Sequence, residues 1–189
     1  LLIPFLGLYW DDWNLYWATQ TGTDQYVLNY FAVDRPLVGH IYNFTKIFLG
    51  ETIVNYHIFA FVGWVLLCLT IWILFKTIWP RNQKEALIIT LMYAVFPGFS
   101  QHSMAVTYGH GYPTLIIYFV SVILMIFSFR LKSRWTSGIL SLLSLSLFLF
   151  SIIAVEYLLG LEIMRLAILW VLLKENKIET KLKHLASKY

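Results

Sequence analysis

From Ile53 to Trp79 the chain carries no formal charge except Lys76, and the run closes on Pro80 and the polar stretch Arg81-Asn82-Gln83-Lys84-Glu85. A helix needs about 20 predominantly apolar residues to cross the hydrocarbon of a bilayer, and this segment exceeds that. The rest of the chain is built alike. Apolar residues make up 59% of the 189 and charged ones 13%, with mean hydropathy +0.70. A soluble domain carries roughly 25% charged residues, so this composition argues against a soluble globule. Long apolar runs rich in aromatics argue equally against disorder. They are continuous rather than alternating, which speaks against a transmembrane β-barrel.

The pattern predicts an all-α fold, a polytopic transmembrane helical bundle of about six spans. A partial span is expected at 1–10, then spans at 53–79, 85–103, 113–130, 136–155 and 158–173, with a polar tail over 174–189. As helix, Leu1 to Trp10 would reach only about 15 Å, which suits the outer half of a first span. The third span should break at Pro97-Gly98, since neither residue favours a continuing helix. Residues 136–173 would make one helix of about 57 Å, so a hairpin is expected near Glu156-Tyr157-Leu158-Leu159-Gly160. Cys68 is the single cysteine, so no intramolecular disulfide can form. Ser141, Ser144 and Ser146 are expected to pack helices.

The basic residues set an orientation. With the loops at 80–84 and 130–135 and the tail on one side, eleven of the 14 Lys and Arg fall there against three acids, a charge of +8. The other side holds three basic residues against seven acids, a charge of −4. By this rule the basic side is cytoplasmic and 11–52 is an outer loop. The basic excess then reports topology and contact with anionic membrane lipids rather than nucleic acid.

A loop of some 40 residues is too long for a connector and points to function. Within 11–52, Leu37, Val38, Ile41, Phe44 and Phe48 recur at helical spacing with His40, Asn43 and Lys46 between them, as in an amphipathic helix lying at the interface. Trp10, Trp13, Tyr16 and Trp17 read as an aromatic belt at head-group level.

Asp11-Asp12 sits at the end of the first apolar run, where desolvating two adjacent carboxylates is costly. Such a pair can supply a general base, hold a divalent cation, or mark a solvated helix end. Asp11 should be the less solvated of the two, being nearer the span. Arg35 is the only arginine of the outer loop, and its guanidinium can pair with Asp34 or grip a phosphate bidentately. Glu162 and Arg165 are three residues apart, expected at or just inside the outer face, and can form an ion pair. His40, His57, His102 and His110 come from different segments without metal-ligand spacing. His102 and His110 flank Ser-Met-Ala-Val-Thr-Tyr-Gly and can hydrogen-bond a sugar or phosphate, or simply pack. Asn43-Phe44-Thr45 matches a glycosylation sequon, a pattern common by chance.

Tyr9-Trp10-Asp11-Asp12-Trp13 closing a span, followed by Asp34-Arg35-Pro36-Leu37, resembles the bacterial GT-C glycosyltransferases, polytopic enzymes that use polyprenyl-phosphate sugars. Phe96-Pro97-Gly98-Phe99-Ser100-Gln101 and the stretch from Glu156 to Arg165 look like further pieces of the same pattern. The resemblance implies sugar transfer from a polyprenyl-phosphate carrier on the outer face of a bacterial cytoplasmic membrane. Asp11 and Asp12 would be the catalytic acids; a divalent cation at that pair is the cofactor their carboxylates, rather than the resemblance, would allow. By the resemblance Arg35 and Arg165 would meet the lipid phosphate; His57, His102, His110, Glu156 and Glu162, polar groups expected on the same outer side, complete the expected substrate-binding set. Family members normally have more spans, so the chain is expected to be an N-terminal membrane module or a shortened relative. The alternative reading is a non-catalytic membrane subunit with a GT-C-like fold, packing against partner proteins or lipids.

Overall fold

A computed structural model describes residues 3–33, 35–96 and 103–186, with side chains as far as Lys174. Among these residues the regular structure is entirely helical. Three short helices come first: α1 (Asp12–Thr21), α2 (Asp24–Phe31) and α3 (Pro36–Leu49). Then come α4 (Ile53–Ile78), α5 (Gln83–Ala94), α6 of about a turn and a half (Ala105–Gly109), α7 (Gly111–Arg130) and α8 (Arg134–Ala154). A 3₁₀ segment, Glu156–Leu161, leads into α9 (Glu162–Ala186).

Three helical stretches are long and apolar enough to cross a membrane: Ile53–Ile78, Ala105–Arg130 and Arg134–Ala154. At 1.5 Å per residue the shortest still spans about 31 Å, the thickness of a bilayer core. Helix α5, at 12 residues, reaches only about 18 Å. It stops three residues before Pro97, and the remainder of the expected span 85–103 lies outside the described residues from Pro97 to His102. Residues 3–10 depart from expectation. Instead of half a membrane helix they hold a 3₁₀ turn at Ile3–Phe5, and Trp10 turns the chain with a φ of 47°. Pro4 and Gly7 within so short a stretch supply the physical reason.

Helix α7 lies between α4 and α8. Leu67, Ile71 and Leu74 of α4 and Tyr118, Val122 and Ile126 of α7 are buried in the core. The α4–α7 contact is close because Gly63 has no side chain: a Cβ there would stand 3.1 Å from that of Tyr112. Hydroxyls in the apolar segments satisfy themselves within their own helices, Thr70 on the Leu66 carbonyl and Thr77 on that of Ile73. Ser144 of α8 instead donates across to the Ser121 carbonyl of α7 at 2.7 Å, a helix-packing role, whereas Ser146 bonds Leu142 in its own helix.

The two ends of the bundle differ. At one, Arg130 donates to the carbonyls of Thr77 and Ile78, so the turns after α4 and α7 lie together. At the other, α1 to α3 cap α6 and the start of α7. The amphipathic helix expected from 37–48 is α3, with its first apolar turns, Leu37 and Ile41, against the core. Its last turns are bare: Phe44, Ile47 and Phe48 are 62%, 76% and 70% exposed.

Candidate functional site

The α1–α3 end holds a cavity of about 660 Å³. Asp11, Arg35, Tyr42, Thr107, His110 and Tyr157 are among the residues that line it. Several elements meet there: the start of α1, the end of α2 with Tyr30 and Phe31, α3 with its preceding residue, α6 running into α7, and the 3₁₀ segment after α8.

Asp11 and Asp12 part company across the first turn of α1. Asp11 is exposed and faces the cavity, whereas Asp12 is fully buried. The expected order of solvation is therefore reversed, because the turn at Trp10 directs the second acid inward. One oxygen of Asp12 accepts from both the backbone N–H and the hydroxyl of Thr107, each at 2.8 Å. Its other oxygen is buried without a hydrogen-bond partner among the described residues. Asp12 thus stands behind the cavity wall and ties α1 to α6, and Asp11 is the acid a ligand can reach.

Arg35 pairs with Glu156; Asp34, its other expected partner, lies outside the described residues. Its Nε and one terminal nitrogen approach the Glu156 carboxylate at 3.3 Å, and the guanidinium sits 5.3 Å from the Tyr157 ring centroid. The pair joins the loop before α3 to the segment after α8, 121 residues on. The Glu156 carboxyl is held below the ordinary glutamate value, first by its own backbone N–H and then by Arg35. Both partners are more than a third exposed, a setting in which ion pairs are worth little and exchange partners readily.

Behind them lies an aromatic wall. The Tyr42 hydroxyl donates to the Val106 carbonyl at 2.8 Å; burial, with the charge of Asp12 second, pushes it well above the ordinary tyrosine value. Tyr42 stacks on His110 with centroids 3.9 Å apart. His110 is buried, with Nδ1 3.1 Å from the Val106 carbonyl and Nε2 2.6 Å from the Thr45 hydroxyl.

The other expected site residues are elsewhere. His57 is buried under the N-terminal segment, with Nε2 3.0 Å from the Gly7 carbonyl. His102 lies outside the described residues. Glu162 and Arg165 form the expected ion pair at 3.0 Å, away from the cavity. Arg165 also donates to the Ser121 hydroxyl, and Ser121 stands ten residues from one end of α7 and nine from the other. The rings of Phe148 and Tyr118 cover the guanidinium at 4.6 and 5.3 Å. That is halfway along the apolar hairpin, because the 3₁₀ segment folds back along it before α9 begins.

Sequence reasoning passed over Thr107, Tyr42 and Tyr157. An isolated threonine or tyrosine in an apolar chain gives no warning of a partner 95 residues away. Among the described residues no three His, Cys, Asp or Glu side chains converge as for a metal ion. No family model, curated protein or solved structure matches the chain.

Proposed function

We propose that this chain is a multi-pass membrane glycosyltransferase of the GT-C kind, or the N-terminal membrane module of one, using a polyprenyl-phosphate sugar at the α1–α3 end. One observation carries the reading: a single cavity is lined by an acid accessible to ligand, Asp11, and an exchangeable cation, Arg35. In this proposal the Asp11 carboxylate takes the proton of the acceptor hydroxyl. The freed oxygen attacks the anomeric carbon, the bond from that carbon to the phosphate oxygen breaks, and the phosphate leaves with the electron pair. Arg35 turns from Glu156 to meet the charge that develops. The basic loops 80–84 and 130–135 would face the bacterial cytoplasm and the cavity the outer side.

The test is transfer by purified protein, with donors chosen from the lipids that co-purify with it and identified by mass spectrometry. Asp11→Asn should lower turnover by about 10²- to 10⁴-fold, the usual worth of a general base, and leave the melting temperature unchanged. Arg35→Ala should chiefly raise KM for the donor. Full transfer by Asp11→Asn would refute the assignment. The reading as a non-catalytic subunit draws on Arg165, whose charge is spent inside the helix hairpin rather than at the cavity.

A further inference from the structure

The Arg35–Glu156 pair joins two walls of the cavity, yet only one partner faces it. Arg35 and Tyr157 line the cavity, whereas Glu156 is not among the described residues that do, and its side chain is 59% exposed. Successive residues of a 3₁₀ segment diverge by about a third of a turn, so Tyr157 turns inward and Glu156 outward. The guanidinium reaches both. The sequence groups Glu156 with the substrate-binding residues; its place outside the cavity points to a different part.

Arg35 makes two kinds of contact. The Glu156 carboxylate takes Nε and one terminal nitrogen at 3.3 Å, the fork that a phosphate takes. The Tyr157 ring, its centroid 5.3 Å away, offers a face, a contact a guanidinium keeps while its N–H groups change partner. An anion therefore already occupies Arg35, in the geometry a phosphate needs, and that anion belongs to the chain. Exchange is cheap on both sides. Released from Arg35, the Glu156 carboxylate keeps its own backbone N–H and stands in water. Leu37 and Ile41 of α3 pack on the apolar cluster that includes Val155 and Leu158, so the two walls stay joined when the ion pair opens. Exposed pairs contribute little, and a phosphate reaching the same fork needs only a modest advantage to displace the carboxylate.

We propose, resting on the phosphate-carrier reading of the cavity, that Glu156 is an internal competitor for the phosphate site of Arg35. Its carboxylate fills that site at rest, and a lipid phosphate binds by displacing it. Glu156 then acts with the opposite sign to a substrate-binding residue: removing its charge strengthens binding, and does so through Arg35.

Native mass spectrometry of the detergent-purified full chain, titrated with farnesyl phosphate and with farnesol as the uncharged control, tests this without a transfer assay. Glu156→Gln should bind farnesyl phosphate about two- to fivefold tighter than the parent, the worth of an exposed ion pair, and bind farnesol no differently. In an Arg35→Ala background the same change should give no gain. Weaker or unchanged binding of farnesyl phosphate by Glu156→Gln would overturn the proposal, the first by making Glu156 a ligand contact. A gain that survives in the Arg35→Ala background would overturn it too, since it reports only the field of a lost negative charge. Displacement of farnesyl phosphate by an equal concentration of inorganic phosphate would overturn the lipid as the displacing ligand. The two readings fail differently. If the parent binds farnesyl phosphate and farnesol alike and Arg35→Ala alters neither, the phosphate-carrier reading falls and takes the competitor with it. An Arg35-dependent preference for the phosphate, with no gain in Glu156→Gln, overturns the competitor alone.

Discussion

Replacing Arg165 by methionine keeps a long side chain and removes the charge. In the structure that charge meets the Glu162 carboxylate at 3.0 Å, donates to the Ser121 hydroxyl and lies over two rings. Its loss strands Glu162, only 19% exposed, in the middle of an apolar hairpin. Breaking a buried pair from one side costs about 3–5 kcal/mol. For a chain of this size that corresponds to a melting temperature lower by about 6–20 °C. Removing both charges is different, because neither partner is then left buried and unpaired. The double variant Arg165→Met with Glu162→Met should return to within about 1 kcal/mol of the parent. Thermal and denaturant unfolding of the three proteins in one detergent measures the cycle. A single variant costing less than about 1 kcal/mol would place Arg165 in water rather than in the hairpin. A double variant as damaged as the single would mean the fold needs the charges themselves.

Asp12→Ala leaves the Thr107 N–H and hydroxyl without their acceptor and should cost about 2–5 kcal/mol, with Thr107→Val costing about 1–2; unfolding of both variants checks the ratio. Single cysteines at Gln83 and Asp24, in the Cys68→Ala background, should react with an impermeant thiol reagent from opposite sides of an oriented membrane. Labelling of both from one side would overturn the orientation. The Arg35–Glu156 tie has an acid limit of known sign. Since the Glu156 carboxyl is depressed in the folded protein, the tie contributes above the ordinary glutamate range and is lost as pH falls through the depressed value. Glu156→Gln should flatten that acid limb in a pH series of Tyr157-reporting spectra, while an unchanged limb would assign it to another group.

The long helices were legible because hydropathy measures one dimension well. Spans read at 53–79, 113–130 and 136–155 appear as α4, α7 and α8 with boundaries displaced by one or two residues, and the turn read near Glu156 is the 3₁₀ segment. What the sequence could not carry was depth. Position along the chain placed Arg165 near the membrane face, but six residues of 3₁₀ helix packed against α8 carry the chain to the level of Ser121, midway along α7, before Arg165 is reached. The N-terminal run misled for a related reason: it is apolar enough to enter a membrane, yet residues 3–10 pack on α4, where the Gly7 carbonyl meets His57. At the cavity, Asp11 and Arg35 could be singled out because charges are scarce in this chain. Their neighbours Tyr42 and Thr107 are ordinary residues whose importance comes from long-range packing.

The contact between Thr45 and His110 has a consequence for proton inventory. The Val106 carbonyl can only accept, so His110 carries its hydrogen on Nδ1 in the neutral ring. Nε2 then offers a lone pair, and the Thr45 hydroxyl, 2.6 Å away, must donate to it. That hydroxyl has one hydrogen and two other claimants, the carbonyls of Ile41 and Tyr42 at 2.9 and 3.1 Å. If the ring takes a second proton, Nε2 becomes the donor, and the Thr45 rotor swings to Ile41 without moving a heavy atom. The link from α3 to the α6–α7 junction therefore survives either charge state, and a proton arriving at this wall of the cavity is registered as the rotation of a single hydroxyl.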